Sequence, residues 1–437
     1  MTGHTLTEPA EIGGVDLQNR LYRAPLLECA GNGPGAVDTF IDELEPAAAS
    51  GVGLIFQGAS VVSAEGGCAA PNMTRVHDPA FVDRLSRLTD RIHEHGSRVF
   101  IQLAEGGLRS MGLWHREYRK RHPDTPQKAV SDPPWQLELA DRAGIIDLQP
   151  DVLSTAEVYD LAAAFGRAAG HAVDAGYDGV HLSGANMGII QQFLSPYYNR
   201  RDDEFADGVQ FLLAVRDAVR EHAGQVPLVT KVPAETAAPP FVRRHLTRED
   251  GLDIARRLAG AGYDALVPVE VSVFWDASLI RGAYPERAWE AEQLQGAYEA
   301  AFGGRLRARA VSLLNRLESR WYPREPGWNA GFCREVREAV DVPVLCEGGI
   351  RARRHCEELL GADSREPACD LVGMARPFYA EPRLAARLLA GEQRVLCESC
   401  NNCTVPQVAG EPGRCRTPSV VREQARLERD GVYESPK

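Results

Sequence analysis

The sequence has few lysines, no long hydrophobic run and no excess of basic residues. Its apolar runs stay well short of the ~20 residues that a membrane-spanning helix needs. The N-terminus, MTGHTLTEPAEIGG, lacks the basic start and apolar core of a secretory signal. The formal net charge of −12 argues against a nucleic acid or an anionic membrane surface as the main partner. These absences predict a cytoplasmic protein.

Eight short apolar runs alternate with longer segments of helical periodicity. The runs lack the period-two alternation of half-exposed strands, which is typical of parallel strands covered on both faces. Neither glycine-rich phosphate motif of an open doubly wound sheet follows the first run. The pattern therefore predicts an α/β fold, a TIM (β/α)8 barrel, over residues 1–389. The runs are RLYRAPL, GLIFQG, RVFIQL, YDGVHL, PLVTKV, YDALVPV, VPVLCEG and DLVGMA.

Two of the intervening segments carry clear helix signals. Ser154 and Glu157 form a capping box, which predicts a helix that ends near Gly176. An apolar stripe over residues 81–92 predicts another helix that stops at Gly96.

Two connections, residues 104–153 and 276–330, are unusually long. Because βα connections of a barrel lie at the face where active sites form, we expect both to act as lids over a site. The second is rich in aromatic residues and arginine, which favours a bulky or specialised substrate. Solvated excursions without a role at the site are the alternative.

Four of the ten cysteines lie close together near the C-terminus. A large chain without an export signal argues against a disulfide framework. Cys397, Cys400 and Cys403 match the first three ligands of a bacterial 4Fe–4S run, and Cys415 could close the site. A structural zinc site and free thiols are the alternatives. Residues 390–437 are therefore predicted to be a short iron–sulfur segment with a charged tail.

Five segments, taken in order, resemble one enzyme family. They are EPAEIGGVDLQNRLYRAPL, GVGLIFQGASVVSAEG, QQFLSPYYNRRDDEF, VPVLCEGGI and DLVGMARPF. Together with the cysteine run they resemble the old yellow enzyme (NADH:flavin oxidoreductase) family. The resemblance is to its iron–sulfur branch of 2,4-dienoyl-CoA reductases and trimethylamine dehydrogenases, and it covers residues 8–415. It implies FMN at the mouth of the barrel and hydride transfer between the flavin and an organic substrate.

The resemblance implies ten flavin-binding residues. Arg376 would supply the cation for the flavin phosphate, and Gln102 would pair with the pyrimidine edge of the ring. Lys231 stands where the family usually has arginine, within an apolar strand where an unpaired ammonium is costly. It would face the flavin N1/O2 region, and an internal salt bridge is the alternative. The ten residues are Pro25, Leu26, Ala59, Gln102, Lys231, Gly348, Gly349, Gly373, Ala375 and Arg376.

The substrate side departs from the family pattern. Ser183, Asn186 and Gly188 stand where the family carries two substrate-binding residues and a tyrosine proton donor. Asn186 can still donate a hydrogen bond to substrate, whereas Gly188 has no titratable group. Loss of a positioned acid removes a contribution of about 10²–10⁴ to the rate. Candidates for a substitute acid near the rim are Glu28, Glu105, His115, Tyr118 and Glu270.

The iron–sulfur branch usually continues into a nucleotide-binding half, which this sequence does not contain. We therefore expect a separate electron carrier, a ferredoxin or a flavoprotein reductase. Direct reduction of the FMN by NAD(P)H is the other route. A homo-oligomer is compatible with all of these features.

The favoured interpretation is an FMN- and 4Fe–4S-dependent oxidoreductase that acts on an enone, enoyl compound or related small molecule. Its chemistry is expected to be atypical because Gly188 replaces the proton donor. An amine dehydrogenase or demethylase type of oxidation is the first alternative. An electron-relay protein and a non-redox barrel stapled by zinc are the others.

Overall fold

Twelve β-strands and seventeen α-helices form the part of the chain that the computed structural model describes, residues 3–235, 238–239, 242–272, 280–362 and 366–434. The strands are β1 (Ala10–Ile12), β2 (Val15–Leu17), β3 (Leu21–Arg23), β4 (Leu54–Val61), β5 (Arg98–Ala104), β6 (Gln127–Ala129), β7 (Pro150–Val152), β8 (Gly179–Leu182), β9 (Leu228–Ala234), β10 (Ala265–Glu270), β11 (Leu345–Glu347) and β12 (Leu371–Met374). The helices are α1 (Ala36–Ala49), α2 (Pro79–Asp83), α3 (Ser86–His93), α4 (Arg116–Arg121), α5 (Trp135–Arg142), α6 (Thr155–Asp174), α7 (Ile189–Leu194), α8 (Val209–Ala223), α9 (Arg248–Gly260), α10 (Glu286–Trp289), α11 (Glu292–Phe302), α12 (Arg305–Trp321), α13 (Ala330–Ala339), α14 (Arg353–Leu360), α15 (Arg376–Ala380), α16 (Leu384–Leu389) and α17 (Pro418–Arg429).

Eight parallel strands form a nearly closed barrel in the order β10-β9-β8-β5-β4-β3-β12-β11. The two outer strands of this sheet also meet. Leu266 pairs with Val344 beside β11, and its N–H donates to the carbonyl oxygen of Pro343 at 3.0 Å. These strands are the eight runs predicted from the sequence, so the TIM-barrel prediction is confirmed.

Aromatic rings fill the middle of the barrel. Tyr22, Phe56 and Phe100 pack edge to face, with ring centroids 5.4 and 5.7 Å apart. Two glycines make room for them. A Cβ atom at Gly179 would lie 2.5 Å from the Phe100 ring, and one at Gly373 would lie 2.1 Å from the Tyr22 ring. Because packed side chains close the interior, a ligand has room only at the carboxyl ends of the strands.

The helix signals of the sequence are present with one difference. The capping box of Ser154 and Glu157 opens α6, which ends at Asp174. The stripe over residues 81–92 forms two helices, α2 and α3, rather than one. Tight i to i+3 hydrogen bonds from Arg84 and Leu85 end α2 after a single turn. Both helices still bury the same apolar stripe.

The two long connections carry secondary structure of their own. Residues 104–153 include α4, α5 and the parallel pair β6–β7. The second connection forms three helices, α10 to α12, and its first residues, 276–279, lie outside the described part of the chain. Neither connection is a plain loop. No helix in the described residues is long and apolar enough to cross a membrane.

The C-terminal segment packs on the mouth of the barrel. The Gln407 side chain, in a 3₁₀-helix over Val405–Ala409, donates to the Leu27 carbonyl oxygen at 2.6 Å. The N–H of Cys415 donates to the Tyr379 carbonyl oxygen at 3.1 Å. Most of the charged tail forms α17. A domain boundary between residues 389 and 390 stays a prediction.

Candidate active site

A cavity of about 300 Å³ opens at the carboxyl ends of the barrel strands. Each of the eight strands contributes at least one residue from within the strand or from just beyond its end, as expected for a TIM-barrel site. All ten residues predicted to bind flavin lie on its wall, namely Pro25, Leu26, Ala59, Gln102, Lys231, Gly348, Gly349, Gly373, Ala375 and Arg376. Four residues predicted for the substrate side also line it: Glu105, Ser183, Asn186 and Gly188. Their individual roles stay predictions.

The inner end of the cavity holds a buried ion pair. The Lys231 ammonium, on β9, forms a salt bridge with the Glu347 carboxylate at the end of β11. Beside it, the Gln102 amide lies 2.9 Å from Nδ1 of His181. Burial, together with the nearby Lys231 charge, holds the pKa of His181 well below its usual value, so this imidazole is neutral. The charges of Lys231 and Glu347 therefore largely cancel at this end.

The outer end of the cavity carries two arginines with a different kind of partner. Arg376 donates to the Asn401 side-chain oxygen and, at 2.8 Å, to the Arg281 carbonyl oxygen. Arg351 donates to the Ser399 hydroxyl at 3.2 Å and to the Ile350 carbonyl oxygen. Neither guanidinium pairs with a carboxylate among the described residues. Burial lowers the pKa of Arg351 to about 10, which leaves it cationic at neutral pH. This end is therefore suited to an anion.

Backbone conformation and close neighbouring atoms explain why glycine stands at three positions after β11 and in β12. Gly348 and Gly349 have φ of 117° and 69°, conformations that favour glycine. A Cβ atom at Gly349 would lie 2.0 Å from the Glu325 carbonyl oxygen. Gly373 is required by the Tyr22 ring inside the barrel. These glycines therefore have packing reasons of their own, and the cations are the more direct sign of an anion site.

The loop after β8 brings Asn186 to the cavity in a strained conformation. Asn186 and Met187 have φ of 149° and 65°. Their backbone N–H groups both donate to the Gln191 side-chain oxygen, at 3.0 and 2.8 Å. The Asn186 amide nitrogen donates to the Ser183 hydroxyl at 3.2 Å. Strained backbone that surrounding contacts hold in place is typical of functional loops.

Four buried polar atoms of cavity-lining residues lack hydrogen-bond partners within the described part of the chain. They are Oε1 of Glu105, Oδ1 of Asn186, Nε1 of Trp328 and Oε2 of Glu347. Buried polar groups are rarely left unsatisfied, since each costs about 1–3 kcal/mol. Unpartnered groups on a cavity wall indicate that a polar ligand completes them.

Glu105 belongs to a small polar cluster at the rim. The Ser63 hydroxyl donates to its carboxylate, and the Lys128 ammonium lies 3.8 Å from Oε1 of Glu105 and 3.2 Å from the Ser63 hydroxyl. The Glu105 side chain is fully buried, whereas Lys128 is partly exposed. Lys128 thus compensates the charge of this carboxylate.

The other candidate acids lie outside the cavity wall. His115 caps α4 and accepts from the Tyr118 N–H at 3.1 Å. The Tyr118 ring stacks on His122, with centroids 4.5 Å apart. Glu28 forms a buried salt bridge with Arg23, and Glu270 pairs with Arg248. Each of the four already has a structural partner, so the structure brings none of them to the reacting end of the cavity.

The helices of the long connections also stay away from the cavity. Of the second connection, only Ile280, Trp328 and Asn329 lie on the wall among the described residues, and none of them belongs to α10, α11 or α12. Of the first, only residues 104–106 do so. We expected these connections to cover the site as lids, but their helices do not line the cavity.

The four C-terminal cysteines line one smaller cavity, and Arg376 lies on the wall of both cavities. All four are free thiols, and burial raises the pKa of Cys403 to about 12. Cys400 lies 3.0 Å from the Thr417 hydroxyl. Among the described residues, no group of three or more His, Cys, Asp or Glu side chains is arranged to hold a metal ion.

Residues 5–240 match the NADH:flavin oxidoreductase / NADH oxidase family. The chain belongs to this family. Members of this family are flavin-dependent oxidoreductases that bind FMN and are linked to NAD(P)H. The resemblance found in the sequence is confirmed.

Two relatives of this flavin oxidoreductase show how far the similarity extends. The metal reductase of Desulforamulus reducens is 26% identical, over 91% of this chain and 50% of its own length. The 4,4'-dithiodibutanoate disulfide reductase of Rhodococcus erythropolis is 26% identical, over 97% of this chain and 98% of its own length. The chain thus spans about half the length of the first relative and nearly all of the second.

A solved structure of histamine dehydrogenase from Rhizobium sp. 4-9 has the same fold. It is 20% identical and superposes with a TM-score of 0.69, over 96% of this chain and 53% of that one. At this identity the likeness concerns the fold alone.

Four residues of this site were not predicted from the sequence. Glu347 and Arg351 lie on either side of the Gly348–Gly349 pair in the segment CEGGIR. The two charged residues could have been predicted from this segment, but only its glycines were assigned to the flavin site. Ser63 and Lys128 could not have been predicted in this way. They lie 42 and 23 residues from Glu105 in the sequence, and only the fold brings them together.

Proposed function

We propose that this flavin oxidoreductase binds FMN in the cavity and a 4Fe–4S cluster on Cys397, Cys400, Cys403 and Cys415. It would transfer a hydride between the flavin and a small organic substrate, an enone or enoyl compound. The observation that carries the proposal is the wall shared by the two cavities. Arg376 lines both, so the two redox groups would be separated by little more than one side chain.

The distribution of charge supports the placement of FMN. Arg351 and Arg376 pair with no carboxylate among the described residues, and together they can bind the flavin phosphate through charge-assisted hydrogen bonds. Gln102 and Lys231, at the inner end, would hold the polar edge of the ring. Bound FMN would supply the hydride donor or acceptor at N5. The unpartnered oxygen of Glu347 would gain a partner in such a complex.

Asn186 is the residue best placed to orient a substrate. Its side-chain oxygen is buried without a partner among the described residues, while its amide nitrogen is fixed by Ser183. Gly188, which stands where the family has tyrosine, lines the same cavity. The apolar wall formed by Leu26, Ala69 and Met73 would exclude water from the reacting atoms.

The chemistry of the cysteine segment favours an iron–sulfur cluster over zinc. Structural zinc sites usually take their ligands in two separated pairs. Here three cysteines stand in one tight run with two residues between neighbours, which matches the first three ligands of a bacterial 4Fe–4S run. All four cysteines line one cavity, so Cys415 can supply the fourth ligand.

Amine oxidation is the second candidate, and Gly188 is the observation that favours it. Reduction of a C=C bond needs a proton donor, whereas removal of a hydride from an amine does not. Histamine dehydrogenase, named above, acts on an amine according to its name. Electrons would then leave through the cysteine segment to a carrier protein.

The test is a cofactor census on anaerobically purified protein, with a visible spectrum and with flavin, iron, sulfide and zinc measured on one sample. We expect one flavin and roughly four irons per chain. Zinc without iron would contradict the cluster, and absence of flavin would contradict the whole proposal. Anaerobic mixing then separates the two reactions, since an amine would bleach the oxidised flavin and an enone would reoxidise the reduced one.

A further inference from the structure

Helix α12 is a long helix whose residues are almost all exposed or only partly buried. It has seventeen residues, and Ala308 is the only one that is buried. One face, which includes Val311, packs towards α11 and the 3₁₀-helix Val405–Ala409. The opposite face is exposed, as in most surface helices.

This outer face is apolar. Four large side chains are exposed on it, with exposed fractions of 81%, 59%, 37% and 70% for Leu306, Leu313, Leu317 and Trp321. Their spacing places them on one side of the helix. Contiguous apolar patches of this kind mark sites where another protein binds.

Basic residues surround the apolar stripe. Helix α12 carries five arginines and one acidic residue, Glu318, on a chain whose net charge is −12. Arg307, Arg309 and Arg320 are exposed and form no ion pair with a described residue. Arg316 pairs with Glu286 at 3.1 Å. The surface is therefore apolar at its centre and positive at its border.

The charges favour an acidic partner over a second copy of this chain. Arg309 and Arg316 lie one helical repeat apart on the same side of the stripe. Two copies joined antiparallel through this stripe would bring these arginines face to face, and like charges at short range oppose association.

The inner side of α12 reaches the cysteine segment. Leu314 and Tyr322 share a cavity wall with Asn401 and Thr404, on either side of Cys403. A protein bound to the outer face would therefore lie one helix away from the cysteine run. Short separations of this kind are what electron transfer between proteins requires.

We propose that the outer face of α12 docks an acidic one-electron carrier protein and brings it next to the cysteine segment. This inference rests on the proposed function. Each hydride given to a substrate carries two electrons, so two carrier molecules are oxidised by one electron each per turnover. One proton from water completes the hydride and a second protonates the enolate that hydride addition leaves. Amine oxidation runs in the opposite direction: two oxidised carriers each accept one electron, and protons are released to water.

The experiment compares two double charge reversals in the full-length protein. Arg309→Glu/Arg320→Glu alters the docking face, and Arg167→Glu/Arg256→Glu alters exposed arginines on α6 and α9 as a matched control. Stopped-flow mixing with a reduced acidic bacterial two-cluster ferredoxin reports docking. Reduced methyl viologen, a small mediator, reports the redox centres alone.

We expect the docking variant to be reduced by ferredoxin about tenfold more slowly than wild type at low salt, with the difference lost at high salt. Viologen should reduce every variant alike. Equal ferredoxin rates in wild type and docking variant would overturn the docking inference while leaving the proposed function intact. Failure of viologen to reduce wild type would overturn both. A wild-type dimer that Leu313→Asp converts to a monomer, with ferredoxin rates unchanged, would assign the face to a second copy.

Discussion

At the scale of single residues, charge pairing distinguishes the two ends of the cavity. Lys231 is neutralised by Glu347 at the inner end, whereas neither Arg351 nor Arg376 at the outer end pairs with a carboxylate among the described residues. An anion gains from the outer end and little from the inner end. The two ends of the cavity therefore differ in net charge, because only the cation at the inner end is paired with a carboxylate.

Replacing Arg376 with alanine should weaken FMN binding about 10- to 100-fold, because a hydrogen bond to a charged group contributes about 1.5–3 kcal/mol. Flavin titration into apoprotein measures this effect. Asn401→Ala is the control, since it removes a tie to Arg376 and keeps the cation. Equal affinity of Arg376→Ala and wild type would remove Arg376 from the phosphate site.

Replacing Lys231 with methionine leaves the Glu347 carboxylate buried and unpaired. Breaking such a pair from one side costs about 3–5 kcal/mol of stability. The flavin should also become harder to reduce, because a negative charge now stands alone beside it. The double variant Lys231→Met/Glu347→Gln should recover most of the stability. Urea unfolding and a potentiometric titration are the measurements, and an unchanged potential in Lys231→Met would show that the lysine does not act on the flavin.

Glu235, just past β9, should make stability depend on pH. Its carboxylate accepts from the Leu246 N–H at 2.7 Å, and burial raises its pKa from 4.5 to about 7. The folded protein therefore holds this proton more tightly than the unfolded chain. The resulting stability is complete below pH 4.5 and is lost as the pH rises through about 7, by about 3 kcal/mol in total.

Glu235→Gln cannot ionise, so its thermal midpoint should rise relative to wild type across that pH range. Melting curves of both proteins at matched pH values provide the comparison. A constant difference between them would show that Glu235 titrates alike in the folded and unfolded states.

At the scale of elements, the loop between β8 and α7 combines strain with exposure to the cavity. Asn186 keeps a φ of 149° because Gln191 bonds its N–H and that of Met187. Such conformations cost about 1–3 kcal/mol in residues other than glycine. This cost is explained if the strained loop holds the Asn186 amide on the cavity wall, where a substrate would bind.

Asn186→Gly should therefore raise the stability of the protein by about 1 kcal/mol and lower substrate turnover. Asn186→Ala should lower turnover alike without the gain in stability, because alanine keeps the strain. Thermal melts and turnover assays on the three proteins give the result. Full turnover in both variants would exclude this side chain from substrate binding.

The long connections show where sequence patterns were less informative at this scale. Helices α10 to α12 lie in a segment whose arginines and aromatic residues suggested a lid. The apolar residues of α12 occur on two opposite faces, so the single-stripe pattern of a surface helix is blurred. Only the packing of Val311 against the 3₁₀-helix shows which face points inward.

At the scale of the whole molecule, the sequence was sufficient for the barrel and for the wall of its cavity. Parallel strands buried on both faces have a distinctive pattern, and the ends of such strands must meet at one mouth. The ion pair of Lys231 and Glu347 could not be predicted from the sequence, because the two residues lie 116 positions apart. The neutral partners of Arg376, which belong to segments 95 and 25 residues away, were hidden for the same reason.

In the proposed arrangement, flavin and cluster lie on the two sides of Arg376. A crystal structure of the anaerobically purified protein, with anomalous diffraction measured at the iron and zinc edges, would show both groups at once. We expect FMN in the barrel mouth with its phosphate on Arg351 and Arg376, and an iron peak among Cys397, Cys400, Cys403 and Cys415. A zinc peak at the cysteines, or a cavity whose arginines bind no phosphate, would contradict it.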